Sequence, residues 1–179
     1  MDKKTLLFSL LIVICISLFS NVISTEKFSD VSLLNAETQD QLTAHKARAM
    51  VITCMDFRLI DDAVNWLNSK GYNNNYDEFI LAGASLGYNQ TVYSSWAETL
   101  DTHIELAEKL HHITEIIVID HMDCGAYKIF YNKQSITEED EIALHKENFS
   151  KFKEIIGKKY PDLTVRTLIM NLKGEVIEL

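Results

Sequence analysis

Cys54-Met55-Asp56-Phe57-Arg58 and His121-Met122-Asp123-Cys124-Gly125 each follow a run of apolar residues, and between them they hold two potential thiolates and one imidazole. Three such donors suit a zinc ion with one coordination position left over, the ligand count of a catalytic site, whereas structural zinc sites are usually closed by four side chains. His121 stands three residues before Cys124, so that at the start of a helix both side chains can face one point. A rival reading stays open at this stage: in an oxidising compartment Cys54 and Cys124 could simply pair as a disulfide.

For the two segments to meet, the elements around them must bring them together. Ala49 to Cys54 reads as a buried strand, because Met50, Val51 and Ile52 run consecutively without polar alternation. Asp61-Asp62 give an acidic start to a helix through Ala63, Val64, Trp66 and Leu67 that stops at Gly71, and Asn73 to Asn75 make a turn. Glu78 to Ala84 is expected as the second strand, with Phe79, Ile80 and Leu81 in its core and Gly83 where the backbone turns tightly or meets a close neighbour. From Tyr93 to His111 the residues Trp96, Leu100, Ile104, Leu106, Ala107 and Leu110 recur at helical intervals. Ile116 to Ile119 is the third strand, Gly125-Ala126-Tyr127 opens a helix, and Glu138 to Lys158 forms another, closed by Pro161. Leu163 to Leu172 is the fourth strand, and Lys173-Gly174 turns into an edge hairpin at Val176-Ile177.

This order predicts an α/β fold, an open mostly parallel sheet of order 2-1-3-4 plus a C-terminal edge hairpin, with helices on both faces. Sites in such sheets form beyond the carboxyl ends of strands, where the strand order reverses. The first and third strands would then be neighbours roughly 4.8 Å apart, and Cys54 would leave the sheet beside His121 and Cys124.

With 179 residues, 47% of them hydrophobic, and one proline, the chain can bury a real core in a single domain. We expect residues 1–24 as a signal peptide, 25–47 as a lead-in carrying a short polar helix over Glu37 to Lys46, and 48–179 as the domain. Lys3 and Lys4 precede the apolar run Leu6 to Phe19, and Val22 and Ser24 are small residues at the spacing that predicts cleavage after Ser24. The protein is therefore expected to be exported, periplasmic or secreted; uncut, residues 5–23 would serve as a membrane anchor. Cys15 lies within that run behind the bulky Ile14, which argues against lipid attachment. The net charge of −9, with basic residues dispersed among acids, argues against nucleic acid as a partner.

On the two motifs, each after a strand, with Asp56 and Arg58 two and four residues beyond Cys54, the chain resembles a β-class carbonic anhydrase, and Asp123 is similar to the small archaeal and bacterial branch of that family. The resemblance covers Met50 to Gly125 and, loosely, the final strand and hairpin. It implies zinc held by Cys54, His121 and Cys124, Asp56 and Arg58 as a dyad beside the open position, CO₂ and bicarbonate as substrate and product, and a homodimer or higher oligomer whose partner helps line the cleft. The sequence departs from the family where Ile80 and Leu81, instead of an Arg-Asn pair, precede Ala82-Gly83.

The chemistry follows from the charges. Zinc lowers the pKa of bound water from about 15.7 towards neutrality, making hydroxide available to attack the carbon of CO₂. Two thiolates cancel the formal charge of the ion, so neighbouring groups must assist. Asp56 could orient the hydroxide or, unrestrained, bind the metal itself, and Arg58 decides between these by holding Asp56 in a forked pair. Plainer readings stand beside this one. An Asp near an Arg is ordinarily a surface ion pair; His103, His111 and His112 could shuttle protons or only be solvated, and His45 and His145 rank with them. Asp123 orients a ligand or begins a helix, and Trp96 and Phe57 border an apolar pocket or fill the core. Besides CO₂ hydration, a silent zinc-binding protein, a hydrolase of CS₂ or COS, and a redox-labile dithiol domain remain as function classes.

Overall fold

Strands with no polar alternation need apolar cover on both faces, and the computed structural model, which describes residues 45–179, supplies it. In chain order it contains β1 (Ala49–Thr53), a 3-10 turn (Phe57–Leu59), α1 (Ile60–Ser69), β2 (Tyr76–Ile80), α2 (Ser85–Asn89), α3 (Ser94–His111), β3 (Glu115–His121), α4 (Gly125–Phe130), α5 (Glu138–Lys159), β4 (Thr164–Met170) and β5 (Val176–Glu178). The expected leader and residues 37–44 of the expected N-terminal helix lie outside the described residues, and His45 and Lys46, which would have ended that helix, are not helical. Among the described residues no helix is long and apolar enough to cross a membrane.

The sheet order is β2-β1-β3-β4-β5, as the sequence predicts. β2, β1, β3 and β4 run parallel, and β5 returns antiparallel against β4. Right-handed crossovers put helices on opposite faces when the chain moves in opposite directions along the sheet. The step from β1 to β2 therefore lays α1 on one face, and the later steps to β3 and β4 lay α3 and α5 on the other. Met50, Ile52, Ile116 and Val118 pack with Leu100 and Ile104 of α3 and Phe149, Phe152 and Ile156 of α5. Ala49, Val51, Ile117 and Ile119 pack with Ala63 and Leu67 of α1. Each fully buried large aliphatic side chain here contributes about 1.5–3 kcal/mol.

Two expectations need correction. The second strand occupies Tyr76–Ile80 rather than Glu78 to Ala84, because its only partner among the described residues, β1, ends at Thr53 opposite Ile80. Leu81 still bonds through its N–H to Thr53 O at 2.9 Å, after which the chain turns, with Gly83 and Ala84 at φ of +78° and +41°. Phe79 packs against the core, but Ile80 is 53% exposed, since β2 is an edge strand with one face at the mouth of a cavity. The turn leads into α2, a buried five-residue helix too short for any periodicity to announce it.

Candidate metal centre

Because β1 and β3 are adjacent and in register, Thr53 beside Ile119, the residues that leave their carboxyl ends emerge together. Cys54 follows β1 directly, His121 is the last residue of β3, and Cys124 is the residue that caps α4. Cys54 Sγ lies 3.9 Å from Cys124 Sγ. A disulfide requires about 2.05 Å, so the pair is not bonded, and both thiols are free. Together with a ring nitrogen of His121 the donor atoms all lie within 4.8 Å of one another.

The donor set fits a divalent cation on two independent grounds. A tetrahedral ion with metal–sulfur bonds of about 2.3 Å holds its sulfurs about 3.8 Å apart, close to the separation observed. His121 Nδ1 lies 2.9 Å from the Met122 carbonyl; a carbonyl only accepts, so Nδ1 carries the proton and Nε2 keeps its lone pair. That Nε2 is buried without a hydrogen-bond partner, a state that costs about 1–3 kcal/mol unless a ligand relieves it. Soft thiolates with an imidazole favour zinc-like ions over magnesium or calcium.

Electrostatics point the same way. A hydrogen bond from Cys124 outweighs burial and, with help from His121 and the Gly83 N–H, brings Cys54 down to about 4. The pKa of Cys124 is pushed up by Cys54 and by burial, against the pull of the Tyr127 and Ala126 N–H groups. Burial disfavours a charged His121, yet the adjacent Cys54 thiolate overcomes this and raises its pKa. The three groups collectively attract positive charge. Gly83 fulfils both parts of its expectation: it sits at φ +78°, a Cβ there would lie 3.0 Å from Ala126 Cβ, and its N–H donates to Cys54 Sγ at 3.3 Å.

Asp56 and Arg58 form the forked pair. Asp56 caps the 3-10 turn by accepting the Arg58 backbone N–H at 3.0 Å. The guanidinium donates through Nε to Asp56 Oδ1 at 2.9 Å and through Nη2 to Oδ2 at 2.7 Å. These bonds hold the Asp56 carboxyl down at about 2. Its Oδ2 lies 3.9 Å from His121 Nε2, at the edge of the donor cluster.

Several residues that sequence reasoning left aside complete the arrangement. Arg58 Nη1 donates to Asp123 Oδ2 at 3.0 Å, and Lys128 also pairs with Asp123. Asp123 therefore does not begin the helix, which Cys124 caps: its residue is left-handed at φ +58° and its carboxylate braces Arg58. The buried Glu141 of α5 accepts the backbone N–H groups of Asp123 and Cys124 at 2.9 and 3.1 Å. Asp120, buried one residue before His121, accepts Ser85 N–H at 3.0 Å, Ser85 Oγ–H at 2.6 Å and Tyr127 O–H at 2.7 Å, and lies 2.9 Å from His145 Nδ1. His145 is thus a core group, not a solvated one. His111 pairs with Asp77 and His103 bonds to Thr99 O, both away from the donor cluster. A single acidic residue in a helical pattern carries no signal that could have announced Glu141; Asp120 inside an apolar run did carry one.

A cavity of about 100 Å³ opens beside Cys54, Asp56 and His121, walled by Leu59, Ile60, Ala63, Ile119 and Met170. Neither aromatic proposed for such a wall is there. Phe57 is 82% exposed, turned outward by the 3-10 turn, and Trp96 stacks on Tyr93 at 4.8 Å.

The chain is 35% identical over 158 residues to an uncharacterized protein of Rickettsia conorii, covering 88% of this chain and 83% of the relative. It is 37% identical over 135 residues to one of Rickettsia bellii, covering 75% and 82%. In fold it is similar to the β-carbonic anhydrase CafA of Aspergillus fumigatus, at a TM-score of 0.54 and 15% identity over 90% of each chain. A crystal structure from a study of two tetrameric β-carbonic anhydrases of Sordaria macrospora matches at a TM-score of 0.51 and 14% identity over 99% of this chain and 98% of that one. At such identities the likeness speaks for the fold alone. The family model described as "Putative carbonic anhydrase" matches residues 44–179, and the chain belongs to that family as a divergent member with the β-carbonic anhydrase fold.

Proposed function

We propose that this protein is a zinc-dependent carbonic anhydrase that interconverts CO₂ and bicarbonate, with Cys54, His121 and Cys124 as metal ligands and Asp56 and Arg58 as the controlling dyad. The observation that carries this reading is the unpartnered, buried His121 Nε2 within 4.8 Å of two free sulfurs, with a carboxylate restrained at the edge of the cluster. Zinc held there would supply water acidified towards neutrality as a nucleophile for CO₂.

The chain's own residues set the geometry. Asp56 Oδ1 is taken by two donors and Oδ2 by one, which leaves Oδ2 a lone pair to accept a hydroxyl hydrogen bond at the reacting position. Arg58, braced on its far side by Asp123, keeps that carboxylate from swinging onto the metal. The Gly83 N–H draws charge from Cys54 sulfur, which partly offsets the neutralising effect of two thiolates. Leu59, Ile119 and Met170 give a small apolar molecule a place to wait that water occupies poorly.

We also read the protein as exported through residues 1–24 and as an oligomer. The exposed Phe57, which lines no part of the cavity, is an apolar side chain that a second copy would cover, and the Sordaria macrospora neighbours are described as tetrameric. The deciding experiment is zinc analysis of the purified protein with stopped-flow CO₂ hydration at neutral and alkaline pH. One zinc per chain with turnover supports the proposal; full zinc without turnover leaves a silent metal protein.

A further inference from the structure

Among the described residues, Asp56 and Glu78 are the only carboxylates that line the cavity, and no Lys or Arg lines it. Arg58 is committed to Asp56 and Asp123, and Lys128 to Asp123. Glu78 faces the mouth because it pairs in register with Val51, two residues before Ile80 opposite Thr53, and so shares their face of the sheet. It is exposed and has no ion-pair partner among the described residues. Asp61 and Asp62 stand on α1 between Ile60 and Ala63, two further residues of the cavity wall. An approaching molecule therefore meets apolar walls and, at Glu78, a negative charge with no counter-ion among the described residues.

From this we propose that Glu78 is a specificity-determining residue that disfavours anions at the open position, so that the site admits neutral, linear, apolar molecules and releases anionic products readily. The inference rests on the hydration reading for its substrate, CO₂ in and bicarbonate out, but its electrostatic content concerns any small anion. The overall equilibrium fixes the ratio of kcat/KM in the two directions, so Glu78 cannot make the enzyme one-way. Its effect is read in bicarbonate KM, in product inhibition and in the affinity of inhibitory anions.

The test uses the full chain loaded with cobalt in place of zinc, and azide as the probe, titrated by its effect on the cobalt visible spectrum. Wild type is compared with Glu78→Gln, Glu78→Lys and, as a control for net charge, Glu154→Gln on the far face of the sheet. One unit of charge at an exposed position is expected to change anion affinity about threefold. Azide should then bind about threefold tighter to E78Q, about tenfold tighter to E78K, and unchanged to E154Q. In 1 M sodium perchlorate, where the screening length falls to about 3 Å, the differences should collapse.

Equal affinities for wild type, E78Q and E78K overturn the proposal, as does an equal step in E154Q. A chain that binds no cobalt overturns both this inference and the metal site. Because the cobalt spectrum needs no turnover, graded azide binding in a protein that does not hydrate CO₂ would sink the hydration reading alone. Robust hydration with flat azide affinities would sink this inference alone.

Discussion

Replacing Arg58 by Ala is the sharpest perturbation of the dyad. The change removes the two side-chain bonds that restrain Asp56, at 2.9 and 2.7 Å, and leaves only the backbone N–H at 3.0 Å. Charge-assisted bonds are worth about 1.5–3 kcal/mol each. The Arg58 side chain is 36% exposed, so the sum is discounted by roughly half for solvent screening, to about 1.5–3 kcal/mol. That energy separates an Asp56 held off the metal from one free to occupy its open position. At about 1.36 kcal/mol per decade, CO₂ hydration should fall about 13- to 160-fold. Stopped-flow hydration on samples matched for zinc content measures it, since metal loss would mimic the effect. A variant that keeps its zinc and hydrates CO₂ within threefold of wild type refutes the restraint argument.

Glu141→Ala orphans the buried N–H of Cys124 and the part-buried N–H of Asp123, and should cost about 1–4 kcal/mol in urea unfolding while weakening zinc affinity; a loss below 0.5 kcal/mol, on the order of a surface change, would contradict it. Gly83→Ala puts a Cβ at φ +78° and 3.0 Å from Ala126 Cβ, for an expected destabilisation of about 1–2 kcal/mol and a shifted sulfur-to-cobalt charge-transfer band. Asp56 falls from its ordinary 3.8 to about 2 in the folded chain, so its contribution to stability is complete above about pH 4 and is lost as pH drops through about 2. The stability difference between wild type and Asp56→Asn should hence stay level from pH 5 to 8 and shrink between pH 4 and 2, by chemical denaturation at each pH. N-terminal sequencing of the protein recovered outside the cytoplasm should begin at Thr25; a retained Met1 would favour the anchor reading of residues 5–23.

The sequence by itself determined the sheet order and the strands that carry the motifs, and it singled out Cys54, His121 and Cys124 as candidate donors, with Asp56 and Arg58 beside them. Those are written in local signals: unbroken Val and Ile runs for buried strands, Gly71 and Pro161 for helix ends, and fixed spacings inside each motif. Only the tertiary structure decided that the two cysteines are not bonded to each other, because that turns on a 3.9 Å separation between residues 70 apart. It also decided which groups support the site. Ser85 of α2, Lys128 of α4, and Glu141 and His145 of α5 reach the segment from Asp120 to Cys124, and nothing in their own neighbourhoods distinguishes them from ordinary helix residues. The missed end of β2 has the same origin: a strand stops where its neighbour stops, at Thr53, and pairing between distant segments is not a property of either segment alone.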